Sequence, residues 1–89
     1  MPGVAVVGQD QAGGIIQGGV QSFVTIDGKP VSCVGDAVAG HGNGAHASPK
    51  IAEGSSFVTI NGIPITFAGK LATCGHAVTP GSPWVSVSN

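Results

Sequence analysis

Short segments rich in β-branched and aromatic residues recur along the chain. The segment FVTI occurs at residues 23–26 and again at residues 57–60. Its alternation of side chains predicts a strand with one buried face. An Asp-Gly or Asn-Gly pair follows each copy, at residues 27–28 and 61–62. These pairs are preferred in type I′ turns, where both central residues need a positive φ, so the pattern predicts two β-hairpins.

The two hairpins belong to an internal repeat. The segment SFVTIDGKPVSCVG at 22–35 matches SFVTINGIPITFAG at 56–69. A partial copy, GSPWVSV at 81–87, supplies a further first strand, and VAVVG at 4–8 supplies a second strand. Because one hairpin is only marginally stable alone, we expect three quasi-equivalent units to bury one core. The prediction is a single all-β domain spanning residues 1–89.

Composition excludes several classes of protein. Sixteen glycines and six prolines in 89 residues argue against long regular helices. The net charge is −1 and there is no arginine, so the chain lacks the cationic surface of a nucleic-acid-binding protein. It contains no signal peptide and no apolar run long enough to span a membrane. We therefore expect synthesis in the cytoplasm without a signal peptide.

The three histidines lie in two glycine-rich segments between the hairpins, HGNGAH at 41–46 and CGH at 74–76. Imidazole and thiolate groups are good zinc ligands, and four of them fill a tetrahedral shell. The interspersed glycines allow the backbone to bend tightly around an ion. The candidate ligands are His41, His46, Cys74 and His76. The alternative is three solvated histidines beside an incidental thiol.

The second cysteine has a different environment. Cys33 aligns with Phe67 in the repeat, so we expect a small buried apolar residue. A disulfide between Cys33 and Cys74 is the alternative, and cytosolic synthesis argues against it.

Sequence motifs do not favour catalysis. H-E-x-x-H and G-x-S-x-G are both absent, and Glu53 is the only glutamate. We therefore expect no enzymatic activity. A small zinc hydrolase or sensor is the alternative, and it would need an open coordination position.

In its repeat and its candidate ligands, the chain resembles the PAAR-repeat spike-tip proteins of type VI secretion systems and contractile phage tails. The resemblance covers nearly the whole chain. It rests on GSSFVTINGIPITFAGK, on VQSFVTIDGKPVSCVGD, and on GDAVAGHG and CGH. The name-giving Pro-Ala-Ala-Arg is replaced by PVSC at Pro30 and PITF at Pro64, and the Gly-Asp of the second unit by Gly69-Lys70.

The resemblance implies a small conical domain with pseudo-threefold symmetry. In the family, a zinc ion near the apex is held by three histidines and one cysteine. That set maps onto the four candidate ligands named above. Iron is the other metal that these ligands accept.

The resemblance also implies a non-enzymatic structural tip. One copy, a monomer on its own, would cap a trimeric β-helical spike of the VgrG or phage baseplate type. It would be delivered with the spike to the target cell envelope and touch the target membrane transiently. Phe23, Phe57 and Trp84 occupy equivalent positions in the three units, where they could form core or contact the spike. The alternative function is an adaptor that attaches a non-covalently bound effector, since the repeat fills the chain and leaves no effector extension.

Overall fold

A computed structural model describes residues 3–82 and 85–87 of the chain. The molecule measures 32 × 23 × 23 Å. The strands are β1 (Ile16–Gly18), β2 (Thr25–Ile26), β3 (Lys29–Pro30), β4 (Ala37–Val38), β5 (Thr59–Ile60) and β6 (Ile63–Pro64), and a single turn of 3₁₀-helix covers Gly44–His46. Three two-stranded antiparallel sheets pair β1 with β4, β2 with β3 and β5 with β6. The all-β prediction is confirmed over this part of the chain.

Both predicted hairpin turns are present. Thr25 pairs with Pro30 and Ile26 with Lys29, which leaves a two-residue turn between β2 and β3. Asp27 in this turn has a φ of 52°, and the glycine after it has a φ of 80°. The turn between β5 and β6 has the same two values. Positive φ at both central positions is the property that the Asp-Gly and Asn-Gly pairs predicted.

The first strands are shorter than the FVTI segments. In the first unit only Thr25–Ile26 joins the ladder. The side-chain oxygen of Gln21 accepts hydrogen bonds from the backbone N–H groups of Phe23 and Val24, at 2.9 and 2.8 Å. The Ser55 hydroxyl makes the equivalent pair of bonds in the second unit. These local bonds take up the donors that a longer ladder would use.

A ring of three backbone hydrogen bonds lies at the centre of the molecule. It joins the segments that end the three units, which are residues 4–8, 31–35 and 65–69. Ser32 N–H donates to the Ala5 carbonyl at 2.9 Å, and Ala5 N–H donates to the Thr66 carbonyl at 3.1 Å. Thr66 N–H closes the ring on the Ser32 carbonyl at 2.9 Å. All three residues are fully buried, so this central ring defines the pseudo-threefold axis.

The third unit is assembled from the two ends of the described chain, as the partial copies predicted. Val4 N–H donates to the Val85 carbonyl at 2.8 Å, and Gly3 bridges to Ser86. The equivalent bond in the first unit runs from Val31 N–H to the Val24 carbonyl at 2.9 Å. Three units therefore surround the axis.

The core consists of two clusters of buried residues, which we call the hairpin layer and the linker layer. The hairpin layer contains Val4, Val31, Cys33 and Ile65. The linker layer is formed by the segments that leave the ring for the next hairpin, and its buried residues are Ala5, Ala12, Ile16, Val38, Ile51, Ala72 and Val78. We call the two ends of the molecule the hairpin end and the linker end accordingly.

Cys33 is fully buried in the hairpin layer, which confirms the sequence prediction, and both cysteines are free thiols. Burial, together with the negative charge of Asp36, raises the pKa of the Cys33 thiol to about 11. The thiol therefore stays neutral at physiological pH and packs as an apolar group.

Asp36 joins the central ring to a neighbouring linker. It is buried, and its carboxylate accepts hydrogen bonds from Cys33 N–H at 2.9 Å, from the Ser32 hydroxyl at 2.8 Å and from Val20 N–H at 2.9 Å. The side chain of Asp36 therefore has a structural role.

The other two units differ from the first at the position equivalent to Asp36. In the N-terminal unit an extra residue shifts the acid to Asp10, which still accepts Val6 N–H at 2.7 Å and also accepts Gly81 N–H at 3.1 Å. In the unit that has lysine instead, the ammonium group of Lys70 lies 5.1 Å from the centre of the Phe67 ring. The Gly-Asp departures noted in the sequence thus leave the ring intact.

We expect Asp36→Asn to lower the free energy of unfolding by roughly 3 kcal/mol, because hydrogen bonds to charged groups contribute about 1.5–3 kcal/mol each. An amide would also direct donors at groups that are themselves donors. Asp27→Asn is the matched control, since it removes the same charge from an exposed turn where the second unit already carries Asn61. Urea denaturation of both variants checks this. Equal stability of the two variants would contradict the structural role of Asp36.

Candidate metal centre

A closed loop positions the first two candidate ligands. The linker after β4 returns on itself, because His41 N–H donates to the His46 carbonyl at 2.9 Å. The 3₁₀ turn Gly44–His46 begins at a glycine with a φ of 62°. A side chain at Gly42 would crowd His46, with its Cβ 3.1 Å from that of the histidine. The glycines of HGNGAH therefore allow both imidazoles to face the same side of the loop.

A tight turn positions the other two. Gly75 N–H donates to the Ala72 carbonyl at 2.9 Å, and Ala72 N–H donates to the His76 carbonyl at 3.0 Å. Gly75 has a φ of 89°, which a side chain would disfavour. The turn places Cys74 Sγ 3.4 Å from His76 Nδ1.

The four candidate ligand atoms lie within 4.8 Å of one another. His41 Nε2 is 3.1 Å from His46 Nδ1 and 3.0 Å from His76 Nδ1. A tetrahedral zinc ion with Zn–N near 2.0–2.1 Å and Zn–S near 2.3 Å separates its ligand atoms by about 3.3–3.6 Å. Three of the observed separations, at 3.0, 3.1 and 3.4 Å, are close to that geometry. Three of the four side chains are half-buried and His76 is exposed.

The hydrogen-bond geometry of His41 is compatible with a cation at the cluster. His41 Nδ1 lies 3.1 Å from the Ala39 carbonyl, which can only accept a hydrogen bond. The proton of neutral His41 is therefore on Nδ1, and Nε2 carries a lone pair. Two further ring nitrogens, from His46 and His76, converge on that atom, and one lone pair cannot bond both. A metal ion would accept all three lone pairs, so the His₃Cys group could bind one.

Two glycines that the sequence analysis did not identify, Gly13 and Gly14, complete the site. A Cβ built on Gly13 would overlap His76 Nδ1 and lie 2.6 Å from His41 Nε2, within the space between the imidazoles. A Cβ on Gly14 would overlap the Ala39 carbonyl and lie 3.2 Å from His41 Nδ1. The neighbouring Ala12 carbonyl lies 3.8 Å from Cys74 Sγ. The linker at residues 9–20 thus closes the cluster with backbone alone.

No acidic residue belongs to the cluster, and the structure describes all four of them. Asp10 and Asp36 are bound to buried N–H groups, as shown above. Glu53 Oε1 accepts a hydrogen bond from Leu71 N–H at 3.0 Å. The cluster therefore contains four candidate metal ligands without a carboxylate base beside them.

Two of the three candidate partner-binding residues are largely exposed. Phe23 is 68% exposed and Phe57 is 75% exposed, so neither side chain belongs to the core. Trp84 lies outside the described residues.

Within the described ranges, no helix is long and apolar enough to cross a membrane.

We expect Gly13→Ala to lower metal retention, because its methyl group would enter the space between the imidazoles and its backbone would have to hold a φ of 87°. Gly8→Ala is the matched control. Its φ is 83°, and a Cβ there would meet nothing within 4 Å. Metal content measured by native mass spectrometry compares the two. Equal metal content would show that Gly13 is not needed to form the site.

Comparison with known proteins agrees with this geometry. A search of curated proteins gave no match. A family model described as the PAAR motif matches residues 4–86, which include all three units and all four candidate ligands. Proteins with this motif are structural proteins at the tips of secretion or phage spikes, and the family in general associates with VgrG spikes. The resemblance found in the sequence is therefore confirmed: the chain belongs to the PAAR-motif family of spike-tip proteins.

Proposed function

We propose that this protein is a non-enzymatic tip that caps the trimeric β-helical spike of a contractile injection machine. One copy sits on each trimer, travels with it and helps to pierce the target envelope. The observation that carries this proposal is an apolar face with threefold pseudo-symmetry at the hairpin end, which matches the three identical chains of a trimer.

The apolar face is a depression of about 370 Å³. Its lining residues come from all three units: Val4, Val24, Ile26, Val31, Val58, Thr59, Ile60, Ile65, Val85 and Val87. Val24, Val58 and Val85 are 44%, 42% and 41% exposed, so the three units present nearly equal apolar surface. An exposed, contiguous apolar patch of this kind is typical of an interaction surface.

We assign Phe23, Phe57 and Trp84 to the same interface. Each precedes one of the three exposed valines in the sequence. Aromatic residues are enriched at protein interfaces, and a benzyl group left this exposed gains free energy when a partner covers it.

At the linker end, we propose that His41, His46, Cys74 and His76 hold one structural zinc ion, with iron as the other possible metal. When bound, the ion would join two linkers at a single point and add free energy to folding. Structural zinc contributes about 10–16 kcal/mol of apparent binding free energy in small zinc-finger peptides. With all four ligands supplied by the chain, the site would be closed to substrate.

We expect Cys74→Ser to reduce bound metal and to lower the melting temperature, because a hydroxyl is a much poorer zinc ligand than a thiolate. Cys33→Ser is the control: it removes the other thiol, from the core, and should keep one metal per chain even if it lowers stability. Native mass spectrometry without added metal or chelator measures the metal content of both variants. Full metal content in Cys74→Ser would contradict the ligand assignment.

We expect Val58→Asp to weaken binding to the trimeric spike of the same machine by at least tenfold, or about 1.4 kcal/mol, because a buried unpaired carboxylate is costly. Ile15→Asp is the matched control, since Ile15 is 39% exposed but lies in a linker. Binding of each variant to the immobilised trimer is measured by biolayer interferometry. Equal affinities for the two variants would place the spike on another surface, and recovery of a cargo protein on this face would favour the adaptor function instead.

A further inference from the structure

Asn43 occupies an unusual place in the proposed metal site. It lies between two ligands, His41 and His46, and immediately precedes the 3₁₀ turn Gly44–His46. Its side chain is exposed and makes no capping hydrogen bond to the turn. The residue after it is a glycine, and a Cβ built on Gly44 would meet nothing within 4 Å. Asn43 is therefore exposed and not bonded to the turn, and the space beside Gly44 is open.

We propose that Asn43-Gly44 is a site of spontaneous deamidation and that metal binding protects it. The inference rests on the proposed metal site. The backbone nitrogen of Gly44 attacks the side-chain carbonyl carbon of Asn43, a C–N bond forms, and ammonia leaves as the amide C–N bond breaks. Water then opens the cyclic imide at either carbonyl. The products are aspartate, or isoaspartate, in which the main chain runs through the side-chain methylene.

The Gly44 nitrogen is free for this attack. As the first residue of a 3₁₀ turn, Gly44 has an N–H group with no acceptor inside the turn. Glycine also lacks the side chain that would obstruct ring closure. The backbone of Asn43 must rotate, however, because its ψ of 166° holds the Gly44 nitrogen away from the side-chain carbon. The rate of deamidation therefore depends on how freely the loop moves.

Ligands on both sides of Asn43 control that movement. With a metal bound by His41 and His46, the ends of the loop are fixed, and the Asn43 carbonyl is held by His46 N–H at 3.1 Å. Without metal, only the loop's own hydrogen bonds oppose the rotation. Isoaspartate would in turn add one atom to the main chain between two ligands. Metal loss and deamidation would thus favour each other, and the covalent change is not reversed by adding metal.

The chain contains an internal control. Asn61-Gly62 is the same dipeptide, but it forms the turn between β5 and β6 and is flanked by the Ile60–Ile63 pair. Rotation of Asn61 out of its φ of 52° would separate the two paired strands. Asn61 should therefore convert more slowly than Asn43 in the folded protein.

The experiment uses the full chain. Zinc-loaded protein and EDTA-treated protein are incubated at neutral pH and physiological temperature, and tryptic peptides are followed by mass spectrometry and chromatography that separates isoaspartate from aspartate. Lys50 and Lys70 are cleavage sites that place Asn43 and Asn61 on different peptides. We expect conversion at Asn43 to be severalfold faster in the EDTA-treated protein and faster than at Asn61 in both samples.

Two variants separate charge from backbone geometry. Asn43→Gln closes the cyclic imide ring far more slowly, so this variant should keep its zinc on ageing. Asn43→Asp carries the new charge without the extra backbone atom, so it should keep zinc better than the isoaspartate form. Zinc loss from Asn43→Asp equal to that from aged protein would overturn the backbone explanation.

The outcomes distinguish the two proposals. A fresh protein that takes up no zinc refutes the proposed metal site, and with it the protection. A protein that holds zinc but shows no conversion at Asn43 after EDTA treatment, or equal conversion with and without zinc, overturns this inference and leaves the metal site standing.

Discussion

Three backbone hydrogen bonds, donated in turn by Ala5, Ser32 and Thr66, are the interaction on which the rest of the structure depends. Each bond lies in the dry interior, where an unpaired backbone group would cost more free energy than the bond itself contributes. The three residues at the axis are all small, because the three segments approach one another closely there. On one side of this ring the segments carry the hairpin layer, and on the other side they begin the linkers.

The hairpin end and the linker end differ in their symmetry. At the hairpin end, the three units keep equivalent apolar side chains and nearly equal exposure, so the symmetry survives on the surface. At the linker end, one linker supplies two histidines, a second supplies cysteine and histidine, and a third supplies only glycines and backbone. A tetrahedral site needs four ligands, a number that three equivalent units cannot supply in equal shares. The same ring therefore supports a symmetric face and an asymmetric cluster.

Much of the fold and of the candidate site was predictable, because local residue types encode them. The Asp-Gly and Asn-Gly turns require positive φ whatever surrounds them, and the repeat alignment placed Cys33 opposite Phe67 in the core. The histidines and Cys74 were conspicuous by their chemistry. Gly13 and Gly14 were not, because their role depends on the approach of His41 from a distant segment, and that linker pairs through backbone atoms that leave no repeated side chains to recognise.

Side-chain bonds to the backbone were also hard to predict. Gln21 and Ser55 are different residue types that shorten the first strands in the same way, so the repeat alignment shows no common residue at this position. Asp10 reaches the donor that Asp36 reaches in the next unit, although an extra residue separates it from its glycine. In both cases the hydrogen bonds are equivalent, although the residues that make them do not match in the repeat alignment.

The central ring also determines how the molecule would carry a load along its pseudo-threefold axis. Its three bonds run across the axis and form a closed circuit, so there is no terminal bond from which the segments could be peeled one at a time. A push on the linker end would instead shear all three bonds together and divide the force among three chain segments. Stiffness in this protein would thus arise from the circular connection of its hydrogen bonds rather than from the length of its strands.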